Sequence, residues 1–422
     1  MSLRSEYDRL QKVIIHSPGR EWDLIPVEDD IAENYLVEDI LFRTRAEEEH
    51  KQFVDCLRHV AGKDSALEFC DLLTDVLEIV DIRSELIDKV VRLEGLNPNN
   101  EALLQSENID SSRLSQTLVS GELILPHQPA KILFKPIPNI LFTRDIAAVF
   151  ADCVVVSHPA KAVRRREGIL ARFVFGYHPT FKNLNIVDIL GESESKKNCD
   201  KLSGPMSLEG GDLMVLDKDT IVIGCGQRTS ESAIEELARR MFRENFAQRI
   251  VVVKLPKERS TMHLDTVFTV IGPEEIVYYP PLFEKTNGSS PCVTMIYENV
   301  RGESKKSSSE NPDGLFSTLG ELGYDFPTRI RCGGEAPLFQ TREQWTDGAN
   351  LFAVKPTVAF IYERNTETIR GFREAEFSIV TSDEFISGDP ESVNRTLVTL
   401  NGAELSRGRG GARCMTLPVE RL

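Results

Sequence analysis

Tryptophan and cysteine are scarce, with 2 Trp and 8 Cys in 422 residues. The cysteines stand at positions 56, 70, 153, 199, 225, 292, 332 and 414, and none belongs to a Cys-X-X-Cys pair. A disulfide-stapled scaffold and a zinc ribbon are therefore excluded, and reduced thiols in a cytoplasmic protein are expected. No run approaches the roughly 18 apolar residues of a membrane helix, so no membrane partner is expected. The opening MSLRSEYDRLQK meets charge before any apolar core and does not read as a secretory leader. Positive charge is also short: 50 Lys and Arg face 66 Asp and Glu, a net charge of -16. Such a field opposes wrapping of nucleic acid or anionic lipid.

What is present supports a large α/β protein. Hydrophobic residues make up 41% and charged residues 27%, enough for a real core under a solvated surface. The length predicts two or three domains, or one α/β unit with an insertion. LQKVIIH at 10–16 reads as the first strand, closed by the turn Ser17-Pro18-Gly19. From Thr44 the pattern turns helical. Phe53, Leu57 and Val60 mark one apolar face; Phe69, Leu72, Leu73, Val76, Leu77 and Val80 mark a second; Leu86, Val90 and Leu93 mark a third. Short strands then dominate: 132–134, 140–145, 147–157, 213–216, 220–225, 249–255, 266–271 and 275–279. A hairpin is predicted at Asp217-Lys218-Asp219, and a helix over Glu231–Arg243 with Thr229 or Ser230 as its cap. The polar stretches 191–202 and 301–314 read as solvated loops.

Four clusters carry chemical groups. They are FTRD at 142–145, EGGD at 209–212, HLD at 263–265 and GRGGARCM at 408–415. On a strand, His263 and Asp265 two residues apart would share a face. Glu209 and Asp212 flank two glycines, which allow either a close backbone approach or an ordinary exposed turn. Asp145 stands next to Arg144 and reads equally as a surface ion pair. Cys414 follows Arg409 and Arg413, and adjacent cations favour a thiolate. It also reads as a small buried hydrophobe, and the Arg/Gly tail as a short RNA-binding patch without aromatic partners. Cys56, Cys70, Cys153 and Cys225 read as core. A thiolate, a histidine and several carboxylates together suit attack on an electron-poor carbon bearing positive charge. Carboxylates hold a guanidinium in bidentate fashion and repel acidic substrates. Zinc held by His263, Asp265 and Cys414 has no support from their spacing.

In their order and wide spacing the four clusters resemble the arginine deiminase family of guanidino-group-modifying enzymes. The similarity extends to RLQKVIIHSPG at 9–19, EEEHKQF at 47–53 and REQWTDGAN at 342–350. It implies a five-bladed α/β propeller of ββαβ units, with residues 1–43 and 120–422 in the catalytic propeller and 44–119 in an inserted helical domain. It implies Cys414 as nucleophile, His263 as general acid and base, Asp145 and Asp265 as the guanidinium clamp, and Glu209 as the acid beside His263. For the amino-acid end of the substrate it implies Asn139, Arg164, Arg228 and Arg409, with Arg165 and Arg166 adjoining Arg164. The implied reaction is hydrolysis of L-arginine to L-citrulline and ammonia through a covalent thiouronium intermediate. The implied assembly is a homo-oligomer, and no metal or organic cofactor is required. Departures from the family pattern include Ile146 after FTRD and the ending MTLPVERL. Neither removes a group named above.

Overall fold

The computed structural model describes residues 2–28, 30–106, 108–190, 206–285, 288–307 and 310–422. Its strands are short, apolar and grouped in a repeating order. Two antiparallel strands are followed by a helix, and a third strand then returns parallel to the second. β5 (Ala147–Phe150) and β6 (Cys153–Val156) form the first such hairpin. The Arg165–Tyr177 helix follows, and β7 (Asn185–Val187) pairs parallel with β6. The second unit is β8 (Leu213–Val215), β9 (Thr220–Cys225), the Glu231–Arg243 helix and β10 (Arg249–Lys254). The third is β11 (Phe268–Val270), β12 (Glu275–Tyr278), the Gly314–Glu321 helix and β15 (Thr328–Arg331). Between β12 and β15 the chain runs β13 (Thr294–Val300) and β14 (Glu303–Lys306), which extend the sheet of β10. The fourth unit is β16 (Phe352–Lys355), β17 (Val358–Tyr362), the Thr366–Glu374 helix, β18 (Ser378–Thr381) and β19 (Thr396–Leu400), with β19 parallel to β17.

The fifth unit joins the two ends of the chain. β20 (Leu417–Arg421) pairs antiparallel with β1 (Leu10–Ile15), and β2 (Ala66–Glu68) returns parallel to β1 after the Arg43–Ala61 helix. Parallel pairs need a crossover helix, which explains why a helix separates the last two strands of each unit. A two-stranded ribbon of β3 (Glu122–Leu123) and β4 (Lys131–Ile132) precedes the first unit.

The Arg43–Ala61 helix spans the start of the predicted insertion at residue 44. It lies between β1 and β2 and packs Phe53, Leu57 and Val60 into a cluster with Phe360 and Phe385. The Phe53 and Phe360 rings meet edge to face at 5.4 Å. It is therefore the helix of the fifth unit. The helices that pack on one another are Phe69–Leu77, Val80–Glu94, Pro98–Leu104 and Ser111–Ser120. Their buried Leu73, Leu86 and Leu118 join one apolar cluster with Val154 and Phe175 of the first unit. Burying that face against a blade stabilises both at about 25 cal/mol per Å² of apolar surface removed from water.

Other expectations shift in detail. Residues 140–145 are not a strand; they lie in two successive 3-10 turns, Pro138–Leu141 and Thr143–Ile146. The polar 301–314 stretch is partly β14, paired through Glu303–Lys306. The polar 191–202 stretch lies outside the described residues. Ser230 caps the Glu231–Arg243 helix, its Oγ accepting the Ala233 N–H at 3.3 Å.

Candidate active site

The turns that enter the inner strands meet one another, and each delivers a polar group. Thr143–Ile146 enters β5 with Asp145, and Gly210–Asp212 enters β8 just after Glu209. Leu264–Thr266 enters β11 with Asp265, just after His263. Asn350 lies two residues before β16, and Cys414 three residues before β20. Glycine makes the convergence possible. A Cβ on Gly211 would lie 2.8 Å from both Asp145 Oδ1 and the His263 ring, and one on Gly411 would lie 2.6 Å from the Asn350 carbonyl. Tight 3-10 turns, rather than strand alternation, bring His263 and Asp265 to one place.

All these groups are buried. His263 is 2% exposed, Cys414 5%, and Glu209 and Asp265 0%. The alternative readings of an exposed turn at Glu209 and a surface pair at Asp145 are thereby removed. His263 Nε2 lies 2.8 Å from Glu209 Oε2, and Nδ1 lies 3.5 Å from Asp145 Oδ1. Cys414 Sγ lies 3.8 Å from Asp265 Oδ2. The Cys414 N–H donates to Asn350 Oδ1 at 3.0 Å, and Asn350 Nδ2 donates to the Asp265 carbonyl at 3.0 Å.

Each clamp carboxylate has one engaged oxygen and one bare one. Asp145 Oδ2 accepts from Arg164 Nη1 at 2.6 Å, and Asp265 Oδ2 accepts from Arg413 Nη1 at 2.9 Å. Asp145 Oδ1 and Asp265 Oδ1 are buried without a hydrogen-bond partner. Arg413 is held in turn by Glu6, with contacts of 2.9 and 3.2 Å.

The remaining arginines divide. Arg164 is fully occupied: Nε donates to Glu167 at 2.8 Å, Nη2 reaches the Asn139 carbonyl at 3.3 Å, and Nη1 holds Asp145. Of its neighbours, Arg165 is exposed, and Arg166 turns to Glu94 and the Lys135 carbonyl at 2.6 Å each. Arg228 Nη1 lies 3.5 Å from Glu209 and makes no hydrogen bond. Arg409 donates to the carbonyls of Arg259 and Ser260 at 3.1 and 3.2 Å and stacks 3.6 Å from the Trp345 ring centroid, with Nε bare. Asn139 Nδ2 donates to the Tyr35 carbonyl at 2.5 Å.

Electrostatics sets the protonation of the pair. Burial alone would depress the His263 imidazole, but Asp145, the Glu209 hydrogen bond and Asp212 outweigh it and raise it to about 9. Burial pushes the Cys414 thiol well above its ordinary range; Asp265, Asp145 and Asp347 push the same way, and Arg413 opposes only in part. Burial also raises Asp212 and Asp347 to about 7 each. Glu209 runs the other way, its burial cost overcome by Arg228, His263 and Arg164. Ligand atoms of Asp145, Glu209 and His263 lie within 4.8 Å of one another, close enough to hold a cation. Asp145 Oδ1, buried without a hydrogen bond, suits an organic cation equally.

The arginine deiminase family model matches residues 33–421. An arginine deiminase of Streptococcus agalactiae serotype V is 31% identical over 440 aligned positions, covering 99% of this chain and 97% of its own. One of Streptococcus equi subsp. zooepidemicus is 30% identical, with the same coverage. The chain belongs to the arginine deiminase family. A solved amidinotransferase of saxitoxin biosynthesis from Microseira wollei superposes with a TM-score of 0.54 at 13% identity, covering 100% of this chain and 97% of that one. The fold is accordingly the five-bladed α/β propeller of guanidino-modifying enzymes.

Sequence reasoning missed Asn350 and the Glu6–Arg413 pair as parts of the deiminase-family site. The signal for Asn350 was positional: GAN at 348–350 precedes an inner strand, as FTRD, EGGD and HLD do. Glu6 carried no signal, because its partner lies 407 residues away.

Proposed function

We propose that this chain hydrolyses L-arginine to L-citrulline and ammonia. The observation that carries the reading is the pair of buried oxygens without a hydrogen bond on Asp145 and Asp265, with His263 beside that of Asp145 and the Cys414 thiol 3.8 Å from the other oxygen of Asp265. Two unpaired carboxylate oxygens in a closed site are costly alone and favourable around a planar cation. Asp145 and Asp265 hold the guanidinium and orient its carbon towards Sγ. The arriving positive charge offsets the carboxylates that keep Cys414 protonated, so the thiol proton passes to water displaced by the substrate and the thiolate forms. Sulfur attacks the guanidinium carbon, His263 as imidazolium protonates a terminal nitrogen, and ammonia leaves. A thiouronium remains on Cys414. The neutral His263 takes a proton from water, the resulting hydroxide adds to carbon, and the thiolate is expelled with the ureido product. Glu209 holds His263 in place throughout.

Arg228 and Arg409 each keep a bare nitrogen and are proposed to meet the substrate carboxylate, with Asn139 beside them. Arg164 has no arm to spare, so we assign it to Asp145 and Glu209 instead. The seven described cysteines are free thiols, which supports a cytoplasmic setting. Leu338, Phe339 and Trp345, exposed on the Pro337–Trp345 helix, support a homo-oligomer. No described helix is long and apolar enough to cross a membrane.

Ammonia and mass-resolved products are measured after incubation with L-arginine and, in parallel, agmatine. Citrulline with one equivalent of ammonia, formed mainly from L-arginine, is expected. Failure to form citrulline overturns the assignment, and equal turnover of agmatine overturns the role of Arg228 and Arg409.

A further inference from the structure

A second cluster of reactive side chains lies where the fifth blade hands the chain to the inserted helices. His16 directly follows β1, Glu68 ends β2, and Cys70 opens the Phe69–Leu77 helix. Ile15 and Glu68 are register partners in the parallel pair. His16 Nδ1 lies 2.9 Å from Glu68 Oε1 and 3.9 Å from Cys70 Sγ. The three donor atoms all lie within 4.8 Å of one another. Cys70 is thus not merely the core residue its helical pattern suggests.

Each donor is held from behind. His16 Nε2 faces Glu21 Oε1 at 3.3 Å, and that oxygen also accepts the Gly19 N–H at 2.6 Å. Glu68 Oε2 accepts the backbone N–H and the hydroxyl of Ser17, both at 3.0 Å, which leaves Oε1 for His16. The Cys70 carbonyl accepts hydroxyls from Thr74 at 2.7 Å and Ser115 at 2.9 Å. His50, 1% exposed on the neighbouring Arg43–Ala61 helix, has Nε2 buried without a hydrogen-bond partner.

We propose that His16, Glu68 and Cys70 form a binding site for a divalent transition metal of the zinc class, with solvent as the fourth donor. A mixed nitrogen, oxygen and sulfur set selects a borderline ion over magnesium or calcium. Tetrahedral zinc bonds of about 2.0–2.3 Å put ligand atoms roughly 3.3–3.8 Å apart, which the observed 2.9 and 3.9 Å bracket. A carboxylate on the far nitrogen of a histidine fixes the tautomer that presents the near nitrogen to metal. Glu21 occupies that position. Binding replaces the proton that His16 Nδ1 otherwise shares with Glu68, and the Cys70 thiol proton leaves to solvent. The ion would fasten β1 and β2 to the inserted helices, apart from the deiminase site.

The test is a cobalt(II) titration of the full-length chain. One equivalent is expected to bring a thiolate charge-transfer band in the near ultraviolet and the visible bands of a four-coordinate ion, both bleached by zinc. Cys414→Ala should retain the spectrum, Cys70→Ser should lose the near-ultraviolet band, and His16→Gln should weaken affinity by about 10-fold or more. Absence of the band in the unaltered chain overturns the site, as does its survival in Cys70→Ser or its loss in Cys414→Ala. Should Cys70→Ser not fold, the unaltered chain is alkylated with iodoacetamide with and without zinc, and peptides are mapped by mass. Protection of Cys70 is expected, and equal labelling overturns the proposal.

Discussion

At the scale of single residues, the site is a balance between buried charges that pair and buried atoms that do not. Cys414 Sγ lies 3.8 Å from Asp265 and is the group proposed to form the carbon–sulfur bond. Cys414→Ala is expected to abolish ammonia release while leaving the circular dichroism spectrum and melting temperature close to those of the unaltered chain. The raised imidazole sets the pH response. His263 titrates at about 9 rather than its ordinary 6.5, so the acid that protonates the leaving nitrogen is present below about 9 and lost above it. Measured kcat/KM should fall as pH rises through that value, and a profile flat to pH 10 would remove His263 from this role. The same shift contributes stability that is complete below the unfolded value and lost as pH rises through about 9. Asn350 is the residue to test among those the sequence did not mark. Asn350→Ala leaves the Cys414 N–H without its acceptor, a cost of about 1–3 kcal/mol in a dry site. A fall in kcat larger than the change in KM is expected, since the sulfur rather than the substrate carboxylate loses its support. The residues that converge in the buried site were legible as clusters of chemically reactive side chains. Asn350 was not, because an amide that holds a backbone looks like any other polar residue in a turn.

At the scale of elements, the difference between the expected strand at 140–145 and the observed 3-10 turns decides the geometry. An extended FTRD would point Asp145 and Thr143 to one face and Arg144 to the other. The turns instead place Asp145 at the centre, with the Arg144 N–H donating to the Cys414 carbonyl at 3.0 Å. Apolar alternation reports strands well, as β1, the 213–225 hairpin and β10 show. It is blind to turns whose partners come from other blades. Gly211 tests this element directly. Gly211→Ala forces a methyl group against Asp145 and His263, and overpacking of that kind costs about 1–3 kcal/mol. Activity is expected to drop by at least 10-fold with far less loss of melting temperature, read by ammonia assay beside thermal unfolding. The Arg43–Ala61 helix shows the same limit in reverse. Its amphipathic face was plain in the sequence, but whether that face met other helices or a blade depended on β2, three residues long and too short to read.

At the scale of the whole molecule, the ring is closed by pairing the two ends of the chain, and the closure reaches into the site. β20 pairs with β1, and Cys414 stands just before β20. Glu6, just before β1, holds Arg413 and accepts the Val215 N–H at 3.1 Å. Arg413 in turn holds the clamp residue Asp265. A contact between the two ends of the chain therefore reaches Asp265, 148 positions from Arg413 and proposed to bind the substrate. Burial would raise the Glu6 carboxyl, but Arg413 and Arg144 hold it down at about 2 against an ordinary 4.5. Its contribution to stability is present above 4.5 and lost as pH falls through about 2. Glu6→Gln keeps the shape and removes the charge, leaving Arg413 with Asp265 as its one close carboxylate. Breaking a buried pair in this way costs about 3–5 kcal/mol, so a clear drop in melting temperature is expected at pH 7, narrowing towards pH 3 as the unaltered carboxyl nears its own titration. Arg413 then pulls harder on Asp265, and KM for L-arginine should rise because the clamp is drawn towards its own cation. Unchanged KM with reduced stability would confine Glu6 to closing the ring and leave the clamp to Arg413 alone.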